Sequence, residues 1–502
     1  MTLYNINFGI GWASSGVEYA QMYRAKLLRG LNYPQKYVFL DFINAENIQT
    51  LTENIGFKDD EVIWIYQYFT DIPIAPSSYT LEQLKAEVYE PIVREETEGK
   101  IHRLFLNDNQ TFITCYLKNP DEDIVDRAEF VIDGKLVRKD FYSYVRIFSE
   151  YYAPHENAAK IYMRQFYNED GSIAYNEYID GQTNVYRFKN KVLYSRQAFI
   201  AYFMECLNLT SKDIVLLDRA SEVGQALVQH KGQSKMGVVV HAEHFSQHAT
   251  DDHHVLWNNY YEYQFMQANE IDFYITATQL QNDILTAQFE KYHQQSPKVY
   301  TIPVGSIHEL KKPKRKRQPY SMISASRLAN EKHIDWLVRA AIIAKKEVPA
   351  LQFDIYGEGG AKGQLATLIR ENHAEDYIHL KGHVHLEDVY QRYKLFVSAS
   401  TSEGFGLTLL EAVGSGLGMI GFDVNYGNPT FIRDGKNGYL LPVNAKEESS
   451  ETIVKRYAAS IVKFFNDGPK AAHKVSYNVA RPFLTSEIQL KWKQCLEEVA
   501  HD

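Results

Sequence analysis

The sequence predicts an α/β chain of two Rossmann-like domains, the first interrupted by an antiparallel β-meander. Three observations predict it. Apolar, β-prone runs alternate with amphipathic runs over residues 1–60 and again after residue 196, the pattern of parallel βαβ units. Between them lie short runs rich in Tyr, Phe, Val and Ile, punctuated by Asp133-Gly134, Asp170-Gly171 and Asp180-Gly181. A second α/β series follows "KVYTIPVGSI", where Pro303 and Gly305 mark a hinge between the domains.

In chain order, "LYNINF" is a first strand. Gly9, Gly11 and Gly16 form a glycine-rich turn, and an amphipathic helix follows. "YVFLDFI" around Asp41 is a second strand. The tyrosine-rich runs "HRLFLNDNQTFITCYL", "EFVIDGKLVRKDFYSYVRIF" and "KIYMRQFYNEDGSIAYNEYIDGQTNVYRF" make the meander, with type I′ turns expected at the Asp-Gly pairs. Its tyrosines either form a partner surface or cover the meander's own core. "DIVLLDRA", "MGVVVHAE" and "IDFYITAT" resume the first domain. "YSMISASRL", "LQFDIYGEG", "YIHLKGHV", "LFVSAST" and "MIGFDV" are strands of the second, and "TSEIQLKWKQCLEEVAHD" closes the chain as a helix. The expected division is 1–60 and 197–300 for the N-terminal domain, 61–196 for the insertion, 301–480 for the C-terminal domain and 481–502 for the closing helix.

A chain of 502 residues is too long for one core, which agrees with this division. The net charge of −9 argues against general affinity for nucleic acid. Cys115, Cys206 and Cys495 lie far apart without a C-x-x-C pair, so neither a zinc framework nor a disulfide scaffold is expected. No signal-peptide layout opens the chain and no apolar run is long enough to span a bilayer. A cytoplasmic location is expected, with peripheral contact at the membrane left open.

Three constellations carry chemistry. At the first turn, Gly9-x-Gly11 is followed by Ser14 where a dinucleotide loop has its third glycine, and the last glycine is Gly16. With Asp41 further on, this permits a nicotinamide or flavin enzyme. It equally permits an anion at a helix N-terminus that Gly16 lets approach closely, or a plain tight turn. In "SASRLANEKHIDWLV", Arg327 and Lys332 flank a strand-to-helix loop. Two such cations can neutralise a diphosphate, and the alternative is a solvated loop. In "STSEGFGLTLLEAVGSG", Glu403 sits in a loop over Gly404 and Gly406, where it can bond sugar hydroxyls. Glu411, in the following helix, can grip a ribose, and the N–H groups of Gly404, Phe405, Gly406 and Leu407 can hold phosphate oxygens. "HAEHFSQHATDDHH" also gathers His241, His244, His248, His253 and His254 with Asp251 and Asp252, a density compatible with zinc or with a wet loop.

"SASRL…EKH", "IYGEGG", "LKGHV", "SEGFGLTLLEAVGSG" and "NPTFIRDGKNGYLL", in this order, resemble the donor half of glycosyltransferase family 4, closely over residues 300–445. Gly418 departs from it, standing where that family usually has proline, in what reads as the turn after a helix. Over nearly the whole chain, "GIGWASSGVEYAQ", "YFTDIPIAPSSYTL", "VVVHAEHFS" and "LWNNYYEYQF" resemble the GtfA-type glycosyltransferases of Gram-positive bacteria. That resemblance implies a GT-B fold with two domains facing a cleft. It implies a retaining transfer of N-acetylglucosamine from UDP-N-acetylglucosamine to Ser/Thr of a serine-rich repeat adhesin, without a metal. It also implies a homologous GtfB-type partner docked through the meander.

By the same resemblance, Gly16, Val17, Glu18 and Tyr19 meet the diphosphate, and Arg327 and Lys332 hold it. His383 and Val384 lie near the uracil, Glu403 to Gly406 touch the sugar, Glu411 takes the ribose, and His241 faces the sugar from the opposing domain. The other readings are a wall teichoic acid glycosyltransferase, whose polyanion the basic run "KKPKRKRQP" (Lys311 to Pro319) could meet, and a non-catalytic, glycan-binding subunit. The same run could instead touch acidic lipid or only solvent.

Overall fold

The computed structural model describes residues 1–10, 16–106, 109–156 and 158–501. Gly11 and Ser14 of the first turn lie outside the described residues. The chain forms two compact units: Met1–Ala25, Asn32–Val238 and Asn259–Asp272 in the first, and Lys26–Leu31, Val239–Asn258 and Phe273–Asp502 in the second.

In the first unit the strand Leu3–Asn7 lies between Gln35–Phe39 and Ile214–Leu217. Val62–Trp64 and Lys235–Val240 lie outside these, and all pair in parallel. The strand order therefore reverses beside Leu3–Asn7, and such a switch point opens a crevice at the carboxyl ends of the strands. The helix expected after the first strand is formed by Gly16–Arg29. Buried polar groups occupy this switch point. Asn7 Nδ2 donates to Gln21 Oε1 (3.3 Å), Gln21 Nε2 donates to Asp218 Oδ2 (2.8 Å), and Arg24 pairs with Asp218.

The inserted sheet has ten strands, from Ile92–Glu98 to Val192–Leu193, each antiparallel to its neighbour in sequence. Its Asp-Gly turns differ from the uniform type I′ expectation. Asp133 and Gly134 both have positive φ, as type I′ requires. At the other two pairs only Gly171 and Gly181 do. Gly181 opens a two-residue loop between Asp180 and Thr183, the glycine place of type II′. At Asp170 the carboxylate instead accepts the Ser172 N–H (2.8 Å), which builds a longer loop. Among the tyrosines, Tyr142, Tyr167, Tyr175 and Tyr186 are buried in the sheet's own core, whereas Tyr162, Tyr178 and Tyr194 are exposed. Phe42 of the parallel part meets Phe148 and Phe166 edge-on, and the Tyr175 hydroxyl donates to the Tyr66 carbonyl (2.7 Å). Arg164 lies over the Phe42 ring and bonds the buried Glu150 and Glu177, each at 3.0 Å. Much of the aromatic content thus anchors the sheet to its own unit.

In the second unit six parallel strands run in the order Ile378–Gly382, Gln352–Tyr356, Ser321–Ala325, Leu395–Val397, Gly418–Phe422 and Gly438–Leu441. Successive residues of a strand face opposite sides. Met322 joins one core with the helices Ile334–Lys345 and Ser450–Asp467, and Ile323 joins another with Leu407–Gly414. The central strands Ser321–Ala325, Leu395–Val397 and Gly418–Phe422 are buried on both faces, which made them legible in sequence as near-continuous apolar runs. The switch point lies between Ser321–Ala325 and Leu395–Val397, the two strands that lead into Arg327 and Glu403.

Gly418 is not in a turn, as expected from the sequence, but begins a strand. Its N–H donates to the Lys394 carbonyl (2.9 Å), a bond proline could not make, and a Cβ there would meet the Phe464 ring at 2.1 Å. The basic run is also divided. Arg317 is buried and donates to the carbonyls of Gln391, Tyr393 and Ser415, so it braces the unit. Lys311 pairs with Glu309 and Glu387. The helix Thr485–His501 closes the chain. No helix among the described residues is long and apolar enough to cross a membrane.

Candidate active site

The loop after Ser321–Ala325 carries Arg327, a turn at Asn330–Lys332 carries Lys332, and the loop after Leu395–Val397 carries Glu403. At the switch point Lys332 Nζ bonds Glu403 Oε2 at 2.9 Å. The residues that the sequence singled out from two distant motifs therefore meet. Arg327 instead points outward, 78% exposed, with Glu331 Oε1 at 3.2 Å.

Backbone contacts hold both loops. Leu328 N–H donates to the Glu358 carbonyl (2.9 Å), and Ser326 N–H to that of Tyr356 (3.1 Å), so the "IYGEGG" turn cradles the Arg327 loop. The Glu403 carbonyl accepts from the N–H groups of Tyr426 (2.7 Å) and Gly427 (2.8 Å). Gly406, at φ +85°, precedes the helix Leu407–Gly414 in the left-handed region, which explains its identity. The Phe405 ring is buried against Phe431 and Phe483, so only its backbone is available to a ligand; the Leu407 side chain packs against the same core. A Cβ on Gly404 would lie 2.8 Å from the His241 carbonyl oxygen, which brings the His241 backbone against the Glu403 loop.

Glu411 lies within that helix and accepts a hydrogen bond from the Tyr390 hydroxyl (3.0 Å). Burial pushes its carboxyl up to about 7, and the nearby Glu387 charge adds to the rise. His383 and Val384 are exposed in the loop after Ile378–Gly382.

In the first unit Gly16 begins its helix and is exposed, Val17 is half-buried and Tyr19 is 43% exposed. Glu18 is turned inward, within 3.6 Å of Arg219 and 3.5 Å of the Asn7 amide, so its side chain serves the switch-point network. Asp41, the ribose acid of the nicotinamide alternative, is bonded by Arg196 (2.9 Å).

The histidine-rich segment does not converge. Among the described residues no group of three or more His, Cys, Asp or Glu is placed to hold a metal ion. His244 is fully buried, while His248, His253 and His254 are exposed; the Asp251 carboxylate accepts the N–H groups of His253 and His254 (2.7 and 2.8 Å). Burial pushes the thiols of Cys115 and Cys495 up to about 12, which leaves neither as a nucleophile.

Over 504 aligned residues the chain is 53% identical to the GtfA subunit of UDP-N-acetylglucosamine–peptide N-acetylglucosaminyltransferase from Streptococcus gordonii, covering 100% of this chain and 99% of that one. The chain belongs to the GtfA family. A GtfA extended beta-sheet domain matches residues 94–190, and a glycosyl transferases group 1 domain matches 306–474. A crystal structure of the pneumococcal O-GlcNAc transferase GtfA in complex with UDP and GlcNAc superposes with a TM-score of 0.92 at 51% identity, covering 100% and 99% of the two chains. A GtfA/B complex superposes with a TM-score of 0.97 at 52% identity over the full length of both. The fold is GT-B, with the antiparallel sheet inserted in the N-terminal part. The poly(ribitol-phosphate) α-N-acetylglucosaminyltransferase of Staphylococcus aureus is a more distant relative, 26% identical over 95% of this chain and 96% of that one. Sequence reasoning missed Tyr390 and Tyr426. Both reach the site through hydroxyl or backbone contacts that no motif spacing announces.

Proposed function

We propose that the chain transfers N-acetylglucosamine from UDP-N-acetylglucosamine to Ser or Thr of a peptide acceptor, retaining the anomeric configuration, as the catalytic subunit beside a GtfB-type partner. The observation that carries this reading is the Lys332–Glu403 pair at the switch point, a cation for phosphate and a carboxylate for sugar hydroxyls. As the C1–O bond breaks, its electrons move onto the β-phosphate. Lys332 and Arg327 stabilise that charge, with the N–H groups of Gly404 to Leu407. The acceptor hydroxyl attacks C1 on the same face of the sugar and its proton passes to the departing β-phosphate, so no covalent nucleophile on the protein is needed.

His383 and Val384 approach the uracil, and His241 the sugar. With two cations and a helix N-terminus at the phosphate the reaction needs no metal, and activity is expected to survive EDTA. The acceptor is a Ser/Thr-rich adhesin polypeptide. The inserted sheet is the partner-docking element, and the complex works in the cytoplasm at the inner face of the membrane.

Glu411 supplies a pH dependence. Its carboxyl is raised above the ordinary range, so the folded chain keeps it protonated up to about pH 7. The ionised form bonds the ribose hydroxyls more strongly than the neutral one, because a charged acceptor makes the stronger hydrogen bond. kcat/KM for the donor is therefore expected to fall as pH drops through about 7, since this ratio reports the free enzyme. Glu411→Gln should flatten that limb; a profile that keeps its inflection in the variant would remove the ribose role.

The function is tested with the purified chain, with and without its partner. UDP release is followed from UDP-N-acetylglucosamine and from UDP-glucose, on a Ser/Thr-rich peptide and on polyribitol phosphate. Transfer of N-acetylglucosamine to the peptide is expected. Transfer to polyribitol phosphate alone, or none in any arm, would overturn the reading.

A further inference from the structure

We infer that His244 is a positioning residue for sugar transfer, fixing through the Tyr426 hydroxyl the loop that carries Glu403. The inference rests on the glycosyltransferase reading above.

His244 is fully buried and its two ring nitrogens meet two different elements. Nε2 lies 2.8 Å from Gln288 Oε1, an acceptor, so the ring donates there. Nδ1 then carries the lone pair and accepts from the Tyr426 hydroxyl at 2.9 Å. Burial holds the imidazole well below its usual range, at about 4, so this donor–acceptor polarity persists across physiological pH. A neutral imidazole spans the gap between an amide oxygen and a phenol hydroxyl, giving to one and taking from the other.

The chain of bonds ends on the catalytic loop. Tyr426 is also fully buried. Its N–H donates to the Glu403 carbonyl (2.7 Å), and the Glu403 N–H donates to the carbonyl of the preceding Asn425 (3.3 Å). Glu403 therefore holds its carboxylate against Lys332 from a backbone that Asn425 and Tyr426 grip, one on its N–H and one on its carbonyl. The far end is equally firm. Gln288 ends the helix Gln279–Gln288, and Gln281 of the same helix donates to the Ala242 carbonyl (2.8 Å), two residues before His244. One helix thus braces the segment Ala242–His244, and that segment braces the Glu403 loop. Misplacing a reacting group by about 1 Å can cost about a hundredfold in rate, so a lost brace is read as turnover.

The test uses the full chain with its GtfB-type partner. Tyr426→Phe keeps the ring, which lies 21° from the plane of His244, and removes only the hydroxyl. The expected result is a fall in kcat on UDP-N-acetylglucosamine of roughly tenfold or more, with the Kd for UDP unchanged, because the cations and Glu411 are untouched. A second pair of variants asks which nitrogen matters. In His244→Asn the amide oxygen takes the place of Nδ1 and keeps the acceptor for Tyr426; His244→Gln reaches the Nε2 position and loses it. His244→Asn should retain more turnover than His244→Gln at comparable melting temperatures, and this comparison decides the matter if Tyr426→Phe fails to fold. An active wild type matched by Tyr426→Phe, or UDP affinity lost in step with kcat, overturns the positioning role alone. A wild type that neither transfers nor hydrolyses UDP-N-acetylglucosamine overturns the function and the inference together.

Discussion

Replacing Lys332 by alanine is expected to lower transfer by about a hundredfold to a thousandfold, the range for losing one preorganised group aimed at developing charge. The fold should hardly notice. Lys332 and Glu403 are partly exposed, with side chains 18% and 21% accessible. A solvent-screened pair of this kind is worth about 1 kcal/mol or less, and the melting midpoint should move by no more than about 4 °C. Arg327→Ala is expected to cost less stability still, because its exposed bond to Glu331 is an i,i+4 surface pair. Glu403→Gln keeps an acceptor for Lys332 and loses the charge. Because Lys332 and Glu403 touch, the double variant should lose less than the sum of the two single losses. Rates measured at saturating donor decide the matter: a Lys332→Ala chain within about threefold of the wild type would show that the cation does not stabilise the leaving phosphate.

The Lys332–Glu403 meeting explains what was legible in the sequence. Five of the six strands in the second unit's parallel sheet announced themselves as β-prone runs, while the edge strand Gly438–Leu441 did not. Residues at the ends of those strands then converge at the switch point whatever their separation in sequence, so "SRLANEK" and "SEGFGLTLLE" could be read as one site. Roles that depend on side-chain direction were not legible. Glu18 has the motif position of a phosphate-loop residue, yet it turns inward to Arg219 and Asn7. Arg317 stands in a run of cations and is buried under three carbonyls. Of five clustered histidines, His244 is the fully buried one, committed to Gln288 and Tyr426. Spacing shows which residues share a loop, whereas burial and hydrogen bonding decide which of them faces a ligand.

Gly357→Ala is the substitution expected to do the most damage to the site from outside it. Gly357 has φ +135°, a region open to glycine and costly for any residue with a Cβ. A Cβ there would stand 1.9 Å from the Ser326 carbonyl oxygen, and that neighbour is backbone, which cannot rotate away. The strain alone is worth about 1–3 kcal/mol. Relief of the clash must push apart the Tyr356–Glu358 turn and the Ser326–Leu328 loop, which are joined at 3.1 and 2.9 Å. The Arg327 loop moves with them. A total of about 3 kcal/mol corresponds to a midpoint lower by roughly 6–12 °C for a unit of this size, together with weaker UDP binding. Gly360 is the control, in the same turn: a Cβ there meets nothing within 4 Å and its φ is ordinary. Gly360→Ala should melt with the wild type and bind UDP equally well. If Gly357→Ala matched Gly360→Ala in both midpoint and UDP affinity, the close approach of the two turns would not be what holds the Arg327 loop in place.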